Sequence, residues 1–174
     1  SVTDEFRAAI SEGSKCGVKI HPLYWLVPDF EKSGVRFEDY FPSISYEGFK
    51  IHPRAQDWDL SDDRTRSLAE RAFTFSDEHG LRILIHTGTD EIDSPLRFEE
   101  IIKCFPRVTV QLAHLRNLSE CIYMMETYAN VYCDTACAPS ENIDKVRKKD
   151  CLQQKLLYGI DFPISVIKCA EKIN

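Results

Sequence analysis

The chain has 174 residues, 43% of them hydrophobic and 29% charged, with a formal net charge of -6 at pH 7. That length and balance describe one globular domain with a core of its own, and they exclude a disordered chain. The charge leaves no basic footprint for nucleic acid, because the one cationic cluster, Arg147-Lys148-Lys149, sits beside Asp144 and Asp150 and reads as a solvated helix face.

No apolar run approaches the ~20 residues of a membrane span, and the N-terminus lacks a charged-then-apolar signal pattern. The seven cysteines are an odd count without paired spacing. Apolar contexts such as Lys103-Cys104-Phe105 and Val131-Tyr132-Cys133 predict buried free thiols in a reducing cytoplasm.

In chain order, the first fifteen residues predict a helix capped by Thr3 or Asp4 and ended by Gly17. A strand over Val18 to His21 follows, then a loop through Trp25 and Pro28, and a second strand from Gly48 to His52 that stops at Pro53. The periodicity predicts a helix from about Asp62 to His79 with Leu68, Ala72, Phe75 and Ser76 on one side and Gly80 as its C-cap. A strand over Leu81 to His86 starts at once. Asp93 or Ser94 caps the next helix, with Pro95 near its first position, and Pro106 separates that helix from a strand over Val108 to His114. A helix over Ser119 to Tyr128, a strand over Val131 to Asp134, a helix near Ile143 to Leu152 and a strand over Leu156 to Asp161 complete the series. The tail from Val166 to Ile173 reads as a last helix.

Six strands alternating with helices are what repeated βαβ units produce, so the sheet is expected to be parallel. The fold class is therefore α/β, a TIM-barrel-type (β/α) parallel barrel over residues 1–174, incomplete as given. Eight strand-helix units take at least about 200 residues, and six fit here. The chain opens on Ser1 inside a helix, so the two missing units are expected at the N-terminus rather than the C-terminus. An open barrel edge exposes unpaired strand groups and favours association, so a homo-oligomer is the expected assembly if any.

Three of these strands end in His86, His114 and Asp161, each followed by turn residues. In an α/β barrel the strand C-termini surround an open mouth, where catalytic groups gather. Imidazole and carboxylate are the ligands a zinc-like ion takes when it keeps an open position, and such an ion lowers the pKa of its water to about 7. Asp161 can take the water's proton, and His114 as a donor can stabilise a developing oxyanion. The plainer readings are histidines hydrogen-bonded to neighbouring backbone and Asp161 as a turn cap. Asp134 ends a strand at the same face and equally suits the start of a turn. Lys50, His52 and Arg54 alternate, so in an extended segment they share a face, either as an exposed polar edge or as a site for an anionic substrate. His21 closes the first strand and is a candidate for the same mouth, and the acidic loop Asp90-Glu91-Ile92-Asp93 after His86 is a candidate lid.

The segments Gly48-Phe49-Lys50-Ile51-His52-Pro53, Ile83-Leu84-Ile85-His86-Thr87-Gly88, Val110-Gln111-Leu112-Ala113-His114, Asn130-Val131-Tyr132-Cys133-Asp134-Thr135 and Tyr158-Gly159-Ile160-Asp161-Phe162-Pro163 together resemble, in order, the strand ends of the amidohydrolase superfamily. The branch is the amidohydrolase-related group of metal-dependent hydrolases and aminocarboxymuconate-semialdehyde-type decarboxylases, over about residues 15 to 165. The resemblance implies that His86 is the fifth-strand metal ligand, that His114 binds metal or polarises substrate, and that Asp161 is the eighth-strand aspartate that binds metal and shuttles a proton. Two departures stand out. No His-x-His pair occurs in the chain, and Leu115-Arg116 replaces the glycines that often follow the sixth-strand histidine.

The expectation is hydrolysis of a small-molecule amide or ester by a metal-activated water, with Lys50, His52, Arg54 and Asp134 on the substrate. The cofactor is one divalent ion, zinc first, with manganese or iron as alternatives. Decarboxylation at the same ion is the runner-up reaction, and a degenerate, non-catalytic α/β binding module is the alternative from another class.

Overall fold

The structure, a computed structural model, describes residues 2–29 and 46–161. Six strands form one sheet in the order β1 to β6: Tyr24–Trp25, Gly48–Ile51, Arg82–His86, Thr109–Ala113, Val131–Asp134 and Leu156–Leu157. Every neighbouring pair is parallel. Each strand lies beside the next one in sequence, so the chain winds in one direction, as it does in a barrel. Among the described residues β1 and β6 remain the two edges, so the barrel is not closed.

Helix α1 spans Val2–Lys15, and the long helix α2, Asp63–His79, joins β2 to β3. The α2 ends follow from local chemistry. Asp62 accepts the Thr65 N–H at 2.8 Å, and Gly80 takes φ 66°, a left-handed value that costs a glycine little. Its buried side carries Leu68, Ala69, Ala72, Phe73 and Ser76, so Phe73 takes the fully buried place expected of Phe75, which packs at the rim of the core. Two 3₁₀ turns, Glu91–Asp93 and Pro95–Phe98, lead into α3, Glu99–Cys104; α4 is Leu118–Thr127, α5 Ser140–Arg147 and α6 Asp150–Gln153.

Alternation along the strands sorts the side chains into two layers. Phe49, Ile51, Ile83, Ile85, Val110, Leu112, Val131 and Cys133 are all at most 1% exposed and share one cluster with the helices. Each fully buried large side chain of this kind contributes ~1.5–3 kcal/mol. The alternate residues point the other way. Register pairs Trp25 with Lys50, Lys50 with Leu84, Leu84 with Gln111 and Gln111 with Tyr132, one row across the lumen face.

The structure departs from the sequence expectations at five points. The first strand forms at Tyr24–Trp25, in the expected loop, because those residues find β2 as a partner; Val18 instead bonds back to Gly13 O and is 56% exposed. His21 consequently closes no strand and pairs with the Glu47 carboxylate. The expected helix over Ile143 to Leu152 is two shorter ones, broken where Lys149 adopts φ -101° and ψ 99°. The last strand stops at Leu157 because the Gly159 N–H turns to Thr135 Oγ1, leaving Tyr158 87% exposed. Of the thiols, Cys121 and Cys133 are buried, whereas Cys16, Cys104 and Cys151 are exposed, so the apolar neighbours of Cys104 do not cover it. The expected terminal helix lies outside the described residues. No helix among the described residues is long and apolar enough to cross a membrane.

Candidate functional site

The parallel strands bring three histidines to one mouth. His86 ends β3, His52 follows the last residue of β2, and His114 follows the last residue of β4. The His52 and His86 rings stack with centroids 3.7 Å apart and planes at 14°, and His114 meets His86 edge-on at 4.5 Å. Trp25 extends the row, its ring 6.3 Å from His52 at 29°.

Burial is the main cause that drives all three imidazoles toward the neutral form. His86 is pushed down to about 3, with His52, His114, Lys50 and Arg116 adding like-charge repulsion to its burial. Neutral imidazoles are what a metal ion needs, since no proton competes for the lone pair.

One further residue joins them. Asp93, 2% exposed, folds back from the loop after β3, and donor atoms of His52, His86 and Asp93 all lie within 4.8 Å of one another. Its carboxylate is held from the other side: Arg54 donates its backbone N–H to Oδ1 at 3.1 Å and its Nε–H to Oδ2 at 2.9 Å, and the same guanidinium pairs with Asp90. The extended run ends at Ile51 and Arg54 opens a 3₁₀ turn, so Arg54 leaves the face of Lys50 to grip this loop. Gly88 lies against the same carboxylate; a Cβ there would stand 2.9 Å from Asp93 Oδ2 and 3.0 Å from its Cβ. Gly88→Ala is accordingly expected to displace Asp93 and weaken metal binding by about tenfold or more, measured by chelator competition.

His114 is positioned by β5. Its Nδ1 lies 2.8 Å from the Ala136 carbonyl, and a carbonyl only accepts, so Nδ1 carries the proton and Nε2 presents a lone pair. That tautomer makes His114 an acceptor or ligand, and a donor to an oxyanion only after it is itself protonated. Its backbone sits at φ 77° and Leu115 at φ 44°, a left-handed pair held by the surroundings. Asp134, 3% exposed, does the holding: Oδ1 accepts the N–H groups of His114 and Ala136, each at 3.0 Å, and Oδ2 accepts Gln111 Nε2 at 2.6 Å. Thr87 Oγ1 ties the ends of β3 and β4 by donating to Ala113 O at 2.6 Å.

Lys50 rises from the lumen floor. Burial pushes its ammonium down to about 8 against the opposing pull of Asp134 and Asp161. Asp161 adopts φ 55° after β6, and its charge is felt by both Lys50 and His114. It lies outside the His52–His86–Asp93 group. Sequence reasoning read Asp93 as a helix cap or part of a lid and did not single out Trp25, Gln111 or Thr87; nothing local marks a carboxylate that reaches a histidine only when its loop folds back.

An uncharacterised TIM-barrel protein from Bordetella bronchiseptica matches 96% of the chain at 16% identity with a TM-score of 0.67, and the chain spans 63% of that structure's length. That likeness shows the fold, a TIM-type α/β barrel. Amidohydrolase 2 from Bifidobacterium longum subsp. infantis matches 91% of the chain and 72% of its own, at 18% identity and a TM-score of 0.48. No curated protein matches the sequence. The amidohydrolase family model matches residues 45–166, a stretch that takes in every strand-end residue from Lys50 to Asp161, and the chain belongs to that family.

Proposed function

We propose that this mouth is the active site of a metal-dependent hydrolase acting on the amide or ester bond of a small molecule. The observation that carries the reading is the group of two neutral imidazoles and one buried carboxylate, His52, His86 and Asp93, with donor atoms within 4.8 Å at the C-terminal ends of parallel strands. The donors fit a divalent cation: two histidines and a carboxylate suit zinc with an open position, and manganese or iron accept the same set. His52 Nδ1 gives up only a long contact, 3.3 Å from the Ala55 N–H. A divalent ion held there supplies Lewis acidity and a water with its pKa near 7.

The remaining chemistry belongs to side chains. Asp161 and His114 are the proton carriers, Asp161 through its carboxylate and His114 through the bare Nε2. Either accepts a proton from water and returns it to the leaving nitrogen or oxygen, and protonated His114 then donates to the developing oxyanion. Lys50 binds an anionic group of the substrate from the floor. Decarboxylation is the second reading, favoured by that same cation, which suits a carboxylated substrate. The free thiols support a reducing cytoplasm, and the edges β1 and β6 support association of copies.

The test pairs metal analysis by plasma mass spectrometry with product analysis on carboxylated esters and anilides. One ion per chain and release of alcohol or amine supports hydrolysis; release of carbon dioxide instead moves the assignment to the decarboxylase. A chain that takes up no ion under any loading condition is a non-catalytic module. Lys50 adds a pH signature. Its charge is present below about 8 and lost above, so affinity for a carboxylate inhibitor is expected to fall as pH rises through about 8, approaching tenfold per unit, and Lys50→Arg should flatten that fall between pH 7 and 10.

A further inference from the structure

Three consecutive residues at the end of β5, Asp134, Thr135 and Ala136, reach both neighbouring strands. Asp134 accepts the His114 backbone N–H at 3.0 Å and the Ala136 carbonyl accepts its Nδ1–H at 2.8 Å, so two of the three fix that imidazole beyond β4. Thr135, between them, bonds to the chain that leads from β6 to Asp161. Its N–H donates to Leu157 O at 3.0 Å, and beyond that point its hydroxyl takes over. The Gly159 N–H donates to Thr135 Oγ1 at 3.1 Å, and the hydroxyl returns a longer bond to Gly159 O at 3.4 Å.

Little else holds this stretch. Tyr158 is 87% exposed and Ile160 49%, and among the described residues Gly159 has no other hydrogen-bond partner. Asp161 nevertheless keeps φ 55°, a left-handed value that its surroundings have to impose. Gly159 comes this close to the turn because it lacks a side chain: a Cβ there would stand 3.0 Å from Ala136 Cβ and 3.4 Å from Asp134 Cγ. We propose that Thr135 is a positioning residue for the reaction, whose hydroxyl clamps Gly159 and thereby sets where the Asp161 carboxylate stands relative to His114. This rests on the reading of Asp161 and His114 as the proton carriers. A hydroxyl accepts from the Gly159 N–H and donates to its carbonyl at once; serine keeps both capacities, and valine, with the shape of threonine, has neither. Proton transfer falls steeply when a carrier is misplaced, whereas binding by Lys50 and the metal does not pass through Thr135.

The experiment uses the full chain loaded with zinc and compares Thr135→Val and Thr135→Ser with the wild type on mono-para-nitrophenyl succinate and the matching anilide. Turnover by the chelator-treated chain is subtracted. Thr135→Val is expected to lower kcat by about tenfold to a hundredfold, with KM within about twofold and zinc content unchanged, and Thr135→Ser to keep most of kcat. Hydrogen exchange at the Gly159 amide gives a readout without turnover. It should speed up by about tenfold or more in Thr135→Val, in zinc or in chelator, and stay near the wild-type rate in Thr135→Ser. Unchanged exchange, an unchanged kcat, or a serine variant as impaired as the valine one overturns the clamp while the hydrolase reading stands. A wild-type chain without zinc-dependent turnover overturns the hydrolase reading itself, whatever the exchange shows, and takes the positioning role with it, so the two failures are distinguishable.

Discussion

His86→Ala is expected to strip the ion from the chain, with a loss in metal affinity of more than about a hundredfold and no measurable turnover. His86 is the shared member of both neighbour pairs, stacked on His52 at 3.7 Å and edge-on to His114 at 4.5 Å, so whichever second residue completes the donor set, His86 belongs to it. Residues that merely orient ligands already cost about 10–100-fold when removed. The fold should survive, because the side chain is only half-buried at the end of β3 while Ile83 and Ile85 supply that strand's core contacts. Asp93→Asn and Asp161→Asn then identify the carboxylate. The geometry expects Asp93→Asn to lose the ion and Asp161→Asn to keep it while losing turnover; the reverse outcome would restore the donor set implied by family resemblance.

The same variant has a signature without metal. His86 titrates near 3 in the folded chain and near its ordinary 6.5 in the unfolded one, so between those values the unfolded state binds a proton that the folded state refuses. Stability is therefore fully present above pH 6.5 and falls as pH drops toward 3. In chelator, the Tm of His86→Ala should decline less steeply across that window than the wild type; equal slopes would remove burial of this imidazole as an acid-sensitive element.

Asp134→Ala is expected to be the most destabilising single change at the mouth, by about 3–5 kcal/mol in urea unfolding. Its carboxylate satisfies two backbone N–H groups and the Gln111 amide, all inside the protein, and alanine leaves three donors without acceptors. The left-handed backbone at His114 and Leu115 loses its anchor at the same time. Asp134→Asn separates the two effects. An asparagine oxygen still accepts both N–H groups and its amide can meet a rotated Gln111, so the stability cost should stay near 1 kcal/mol. The lost charge no longer supports Lys50, whose ammonium should then titrate below about 8. A shift in urea midpoint equally large in both variants would mean that charge, and not the hydrogen-bond pattern, holds the turn.

The amino-acid sequence by itself determined the elements whose causes are local. Asp62 and Gly80 bracket α2 because a cap and a left-handed glycine need no distant partner, and the apolar run from Ile83 to Ile85 pairs as a parallel strand between β2 and β4. It also placed His86 at a strand end and His114 directly after one, since a period of two with a turn after it is legible in one dimension, whereas Asp161 lies four residues beyond the last strand. Only the tertiary structure decided what those residues meet. Trp25 became a strand residue because β2 offered it a partner, while Val18 to His21, which alternates apolar and polar residues, pairs with no strand among the described residues. Asp93 reached His52 and His86 because Arg54, from another loop, pulled its carboxylate in. His114 acquired a single tautomer because Ala136, on the next strand's loop, offered a carbonyl. Contacts between loops far apart in sequence depend on strand register and on which buried charge finds a partner, and neither leaves a periodic trace along the chain.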